Sequence, residues 1–181
     1  MEDVERTLHK MREVWELVDL NENKTGVMIE RDTSTPIPQG MYHIAVDIWT
    51  KSKDGKILLT QRHPNKEWGL KWECSGGAVI KGESGIDGAR RELQEETGIK
   101  ISEKELVYLG KTVMEKYQCI MHTYLVCLTE DVALNLQAEE VVDAKWVEIS
   151  ELENMKDDIV DSVWERYLQF KEKMSRNNGL V

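Results

Sequence analysis

The chain has 181 residues, 40% of them hydrophobic, and a formal net charge of −10 at pH 7. That length suits one domain with short extensions, and the acidic balance argues against a general binder of nucleic-acid polymers, which needs a basic face. No apolar run approaches the ~20 residues that span a bilayer, the charged N-terminus lacks the apolar segment of a secretory signal, and Cys74, Cys119 and Cys127 are not spaced for zinc, so a cytoplasmic protein with reduced thiols is expected.

In chain order, residues 3–14 read as a helix, with Val4, Leu8 and Met11 on one side. Residues 15–18 read as extended, 21–26 as a chain reversal rich in turn residues, and 27–30 as the returning strand. A loop with Pro36, Pro38 and Gly40 leads to a strand over 42–49. A hairpin turn at 53–55 leads to another strand over 57–62. The loop 63–71 carries His63, Pro64, Lys66, Trp68 and Lys71. A glycine-containing stretch and a short helix occupy the middle of the chain. Strands are expected at 106–114, 119–128 and 144–149, then a short helix from Ser150 and a longer one over 158–174. In that last helix Ile159, Val163, Tyr167 and Phe170 recur at three- and four-residue spacing. Strands outnumber helices and one helix lies between them, which predicts the α+β class: a mixed β-sheet packed between helices, an α/β/α sandwich. Residues 1–40 form an N-terminal β extension packed on the core and residues 41–181 the main domain, together one structural unit.

The mid-chain helix carries the chemistry. Ser84 is a candidate N-cap, Ile86, Ala89 and Leu93 repeat at helical spacing as its buried face, and Gly98 follows its last turn as a left-handed C-cap. Gly76, Gly77 and Gly82 allow a tight loop whose backbone approaches a ligand. Glu92 then neighbours Glu95 and Glu96, away from the core face. Like charges at that spacing cost a few tenths of a kcal/mol per pair, roughly. A hard divalent cation, Mg²⁺ or Mn²⁺, repays such clustering because it prefers oxygen ligands.

The spacing Gly77-x5-Glu83-x7-Arg91-Glu92-Leu93-x-Glu95-Glu96-x-Gly98-Ile99 resembles the Nudix box at every fixed position. The approach Trp72-Glu73-Cys74-Ser75-Gly76-Gly77 is similar to that family's Trp-x-x-Pro-Gly-Gly, with Ser75 in place of proline. The resemblance implies the sandwich fold and a metal-dependent hydrolase cleaving the diphosphate linkage of a nucleoside diphosphate derivative or related organic diphosphate. By position it implies Glu92, Glu95, Glu96, Glu83 and the Gly77 carbonyl as metal ligands, with Arg91 orienting a glutamate. Glu140, before Trp146, is a candidate general base or a solvated loop acid. Arg62, Lys66, Lys71 and Tyr117 are candidates for substrate contact. The expected partner is a small-molecule diphosphate, with no nucleic-acid polymer and no membrane; a homodimer is left open.

The segments Glu16-Leu17-Val18-Asp19, Thr25-Gly26 and Tyr42-His43-Ile44-Ala45-Val46 resemble the isopentenyl-diphosphate isomerase branch. That branch needs a cysteine where Gly76 stands and a histidine where Ala78 stands. His43 matches one of its metal ligands, although a packed strand-end histidine is the expected role. The hydrolase residues are complete, so the expectation is an isomerase-like hydrolase. The alternatives are an isomerase and a non-catalytic nucleotide-binding Nudix module.

Overall fold

The computed structural model describes residues 13–31 and 35–177, and among these it contains nine strands and three α-helices. The helix read over residues 3–14 falls almost wholly on residues 1–12, outside the described residues, and Val14 already begins a strand. β1 (Val14–Val18) and β2 (Lys24–Glu30) form a separate antiparallel pair. The reversal between them works as its composition predicts. The Asp19 carboxylate accepts the Asn21 and Asn23 amides at 2.8 and 2.9 Å. Val18 and Tyr42 exchange two backbone hydrogen bonds of 2.9 Å, which fastens this hairpin to the main sheet.

The main sheet contains β3 (His43–Lys51), β4 (Ile57–Arg62), β5 (Trp72–Glu73), β6 (Ser75–Ala78), β7 (Leu106–Met114), β8 (Cys119–Cys127) and β9 (Val141–Val147). Its path runs β5-β4-β3-β8-β7, with β6 also paired to β3 and β9 to β4. β3 and β8 are parallel, and the other pairs are antiparallel. Parallel neighbours need a long crossover. Here it contains α1 (Gly85–Thr97). α2 (Ile149–Asn154) and α3 (Asp161–Arg176) close the chain.

Two-residue periodicity in the strands builds the two layers. Val46, Ile48, Leu58 and Val126 pack with Ala89 and Leu93 of α1. Their neighbours Trp49, Leu59 and Leu125 pack with Ile159, Val163, Tyr167 and Phe170 at the C-terminal end. Each such side chain contributes about 1.5–3 kcal/mol on burial, so packing rather than helix propensity holds α1 and α3 in place. The expected sandwich is present. Several details differ, among them β2, which starts at Lys24, and β3, which runs to Lys51. β9 starts at Val141 because its ladder with β4 runs to Arg62. α3 starts at Asp161 because the Trp72 carbonyl binds the Val160 amide at 3.0 Å before the helix can begin. Gly76 and Gly77 lie in a strand, β6, rather than in a loop.

Candidate active site

α1 is fixed at both ends by short-range chemistry. The Ser84 hydroxyl accepts the Asp87 amide, and the Asp87 carboxylate takes the Ser84 amide in return. Gly98 is left-handed (φ 76°) and its amide closes on the Gln94 carbonyl at 2.9 Å. Between these caps Ala89 and Leu93 face the core. That rotation turns Glu92 and Glu95 to the β6 side.

Arg91 organises three glutamates. Its Nε and Nη2 donate to the two Glu83 oxygens at 2.7 and 3.1 Å. Its Nη1 donates to Glu92 at 2.7 Å and Glu95 at 3.2 Å, and Nη2 also reaches the Ala78 carbonyl at 2.8 Å. Burial works against the charge of this guanidinium, but Glu83 and Glu92 more than offset it and hold its pKa above the ordinary value. Among the described residues no three acidic, histidine or cysteine side chains converge at metal-ligand distance. Glu83, Glu92 and Glu95 turn to Arg91 instead.

Glu96 departs from the sequence expectation. Its spacing puts it on the polar side of the helix, yet it is only 4% exposed. β6 and Glu73 close over it. Its carboxylate accepts the Gly76 amide at 3.3 Å and makes no ion pair among the described residues. Burial first, and then the charges of Glu73 and Glu92, push its pKa well above the usual carboxylate range. Glu92 is also raised, by burial, against the opposing charge of Arg91. Glu73 is raised by burial too, although both its oxygens accept Arg62 Nη1, at 2.8 and 2.6 Å.

Gly76 and Gly77 permit this crowding. A Cβ on Gly76 would collide with the Val46 carbonyl oxygen, and one on Gly77 with the Glu92 carboxyl group. The two glycines thus let β6 lie between β3 and the acidic helix.

These groups open onto a cavity of about 440 Å³. Of the sequence-derived candidates, Gly77, Glu92, Glu95 and Glu96 line it. Glu140, Lys66, Arg62 and Tyr117 line it as well. Glu83 and Arg91 stand behind the lining. Lys71, a candidate for substrate contact, lies outside this cavity lining, its ammonium bound to the Asp157 carbonyl. Arg62 reaches the cavity but is committed to Glu73 and the Glu67 carbonyl. Glu140 is neither free nor fully solvated, since it pairs with Lys66 and its carbonyl accepts the His63 amide.

His43 stacks on Trp15 with centroids 4.3 Å apart and planes at 15°. Its Nδ1 sits 3.1 Å from the Gln118 carbonyl, which can only accept, so Nδ1 carries the proton. Burial lowers its pKa to about 4. Cys74 is buried and its thiol pKa is raised by that burial, as suits a small apolar group rather than a nucleophile. Sequence reasoning missed Glu73, Asp47, Arg166 and Trp15, all of which line the cavity. An acid in an apolar strand (Asp47) and an arginine at the helix position between Val163 and Tyr167 and Phe170 (Arg166) were the available signals.

The family description "NUDIX domain" matches residues 41–168. An uncharacterised Nudix hydrolase of Listeria monocytogenes is 31% identical over 153 residues, covering 80% of this chain and 85% of that protein. An isopentenyl-diphosphate Δ-isomerase of Halobacterium salinarum is 26% identical over 141 residues, covering 73% of this chain and 65% of that protein. A crystal structure from Deinococcus radiodurans superposes with a TM-score of 0.63 at 20% identity, covering 77% of this chain and 86% of that one.

Proposed function

The chain belongs to the Nudix family, and on that premise we propose which of its residues carry the reaction. It is a hydrolase of diphosphate linkages in small organic molecules, in a family that works with divalent cations. We take the ion to be Mg²⁺ or Mn²⁺. Glu92, Glu95 and Glu96, with Glu83 and the Gly77 carbonyl, are its proposed holders. The donor set fits, being entirely hard oxygen. So does the electrostatics: Glu96 is a buried carboxylate on which burial and the charges of Glu73 and Glu92 outweigh the opposing charge of Lys66, and a bound cation stabilises such a group. That is the observation on which the reading rests. When bound, the ion lowers the pKa of its water and neutralises phosphoryl charge.

The remaining roles belong to the protein. Arg91 fixes the planes of Glu83 and Glu92 through its rigid fork. Lys66 and Tyr117 meet the phosphates from the cavity wall. Glu140, held by Lys66, accepts a proton from the attacking water. Residues 41–181 form the catalytic unit, and residues 1–40 an extension whose Trp15 and Arg31 reach its cavity. No helix among the described residues is long and apolar enough to cross a membrane, and we place the enzyme in the cytoplasm.

The test is a panel of nucleotide and isoprenoid diphosphates with Mg²⁺, followed by mass spectrometry. Phosphate or monophosphate release is expected from at least one. Glu96→Gln is expected to lower that turnover at least a hundredfold, roughly, with the fold intact by circular dichroism. Near-normal turnover in the variant removes the role given to Glu96. The similarity to an isomerase supports a second reading, proton transfer on an allylic diphosphate. Incorporation of solvent deuterium into isopentenyl diphosphate would favour it, although Gly76 offers no thiol and the Cys74 thiol is buried.

A further inference from the structure

Besides His43, four basic side chains line the cavity, and each is paired with an acid that lines it too. Three are arginines. Arg31 donates to Glu13 at 2.7 Å and Arg166 to the buried Asp47 at 2.5 Å. Arg62 donates to both Glu73 oxygens and, through Nε, to the Glu67 carbonyl. The fourth, Lys66, pairs with Glu140. An arginine fork is rigid and grips several acceptors at once, whereas a lysine is a point charge on a flexible stem. Lys66 is thus the cation of the four best able to move.

Backbone bonds set the Lys66–Glu140 pair beside the helix acids. The Asn135 and Gln137 amides bind the Thr97 and Glu96 carbonyls at 2.8 and 3.2 Å, and the Glu140 amide turns onto the Gln137 carbonyl at 2.9 Å. From the other side, the His63 amide binds the Glu140 carbonyl at 2.8 Å and the Lys66 amide binds the His63 carbonyl at 3.0 Å. Burial raises the pKa of Glu73 and of Glu96, and the ammonium of Lys66 acts against that rise in both. Its charge therefore serves two buried acids besides the one it touches. The pair itself is partly open to water, the Lys66 and Glu140 side chains being 25% and 23% exposed. Ion pairs with such access are weak, and a divalent ion brings twice the charge to the same acids while repelling the ammonium.

We propose that Lys66 is a built-in counter-cation for the acids of this cavity, which gives way when the divalent cation binds and so sets the affinity for that cation. Glu140 is then held by Lys66 only until the cation arrives and acts as a base once released, and the same movement leaves the ammonium to the phosphates. The inference rests on the cation reading above.

The test measures binding of Mn²⁺ alone to the full chain, by calorimetry, so that it does not depend on turnover. Lys66→Met, which keeps the stem and removes the charge, is expected to bind Mn²⁺ about tenfold more tightly than the parent. Lys71→Met makes the same change in net charge outside the cavity lining, and is expected to stay within about twofold of the parent. An unchanged or weaker affinity in Lys66→Met, or an equal gain in Lys71→Met, overturns the inference. A second measurement uses the unmodified chain. Brief acetylation with an amine-reactive ester, read by peptide mass spectrometry, is expected to label Lys66 at least threefold faster, roughly, when Mn²⁺ is present, because the ammonium has left its carboxylate. Lys71 is expected to react at the same rate with and without the ion. Labelling of Lys66 that does not rise with Mn²⁺ also overturns the inference. If neither the parent nor Lys66→Met binds Mn²⁺, the cation reading falls and takes this inference with it. If both bind it equally, the inference falls alone.

Discussion

Arg91 shows how one side chain sets the working geometry of several others. Its fork reaches Glu83, Glu92 and Glu95 together, and a lysine, a point charge on a flexible stem, cannot do so. Arg91→Lys is therefore expected to keep the fold and to raise the Mg²⁺ concentration for half-maximal activity by about tenfold, the usual cost of losing a residue that orients ligands. A metal titration of the rate checks it. His43 makes a prediction of a different kind. Burial, with a smaller contribution from the charge of Arg31, lowers its pKa from 6.5 to about 4, against the opposing pull of the Gln118 carbonyl. The unfolded chain binds a proton below pH 6.5, while the folded chain does so only near pH 4. The stability that neutral His43 supplies is thus present above 6.5 and lost as the pH falls to 4. Between pH 7 and 5 the protein is expected to lose about 2 kcal/mol more than His43→Gln does, by urea unfolding. Equal losses would show that His43 titrates normally. At this scale the sequence was only partly legible. Fixed spacing identified the helix acids, whereas the Asp47–Arg166 pair joins positions 119 apart and no local pattern announces it. The burial of Glu96 was hidden for the same reason, since its cover comes from β6 and Glu73.

Two adjacent glycines separate folding from function at the level of the element. Beside Gly76 the obstacle to a Cβ is the Val46 carbonyl, which is backbone; beside Gly77 it is the tip of the Glu92 side chain, which can rotate. Gly76→Ala is expected to destabilise the protein by about 1–3 kcal/mol. Gly77→Ala is expected to stay within about 1 kcal/mol of the parent and to lose most of its activity, because Glu92 must leave its place. Thermal melts and initial rates on both variants check the pair, and the reverse ranking would refute the assignment of the obstacles. The caps of α1 were readable beforehand because capping is local: Ser84, Asp87 and Gly98 each act within a few residues. β6 was not readable. Glycines are poor strand formers, and only the partner β3, paired from Ala45 to Ile48, makes Ser75–Ala78 extended.

For the whole molecule, the order of strands and helices was enough to give the sandwich, because each amphipathic element has only one way to bury its apolar side in layers. Which strands would neighbour which was not available, since register depends on contacts between distant segments. The parallel pairing of β3 with β8, from His43–Cys119 to Lys51–Cys127, is the clearest case. It also carries a kinetic consequence. The acidic helix lies within the span that must loop round before those two strands can meet, so it is expected to be fixed against the finished sheet only after that closure, although its glycine floor β6 pairs with β3 over a shorter span. Loop closure of this kind is slow and precedes its reward. A cation captured afterwards should therefore leave the refolding limb of a chevron where it is and lower the unfolding limb, by about a factor of ten for each 1.4 kcal/mol of binding energy. Stopped-flow traces with and without Mg²⁺ would show it, and a faster refolding phase with the ion would mean that the acids gather before the sheet does.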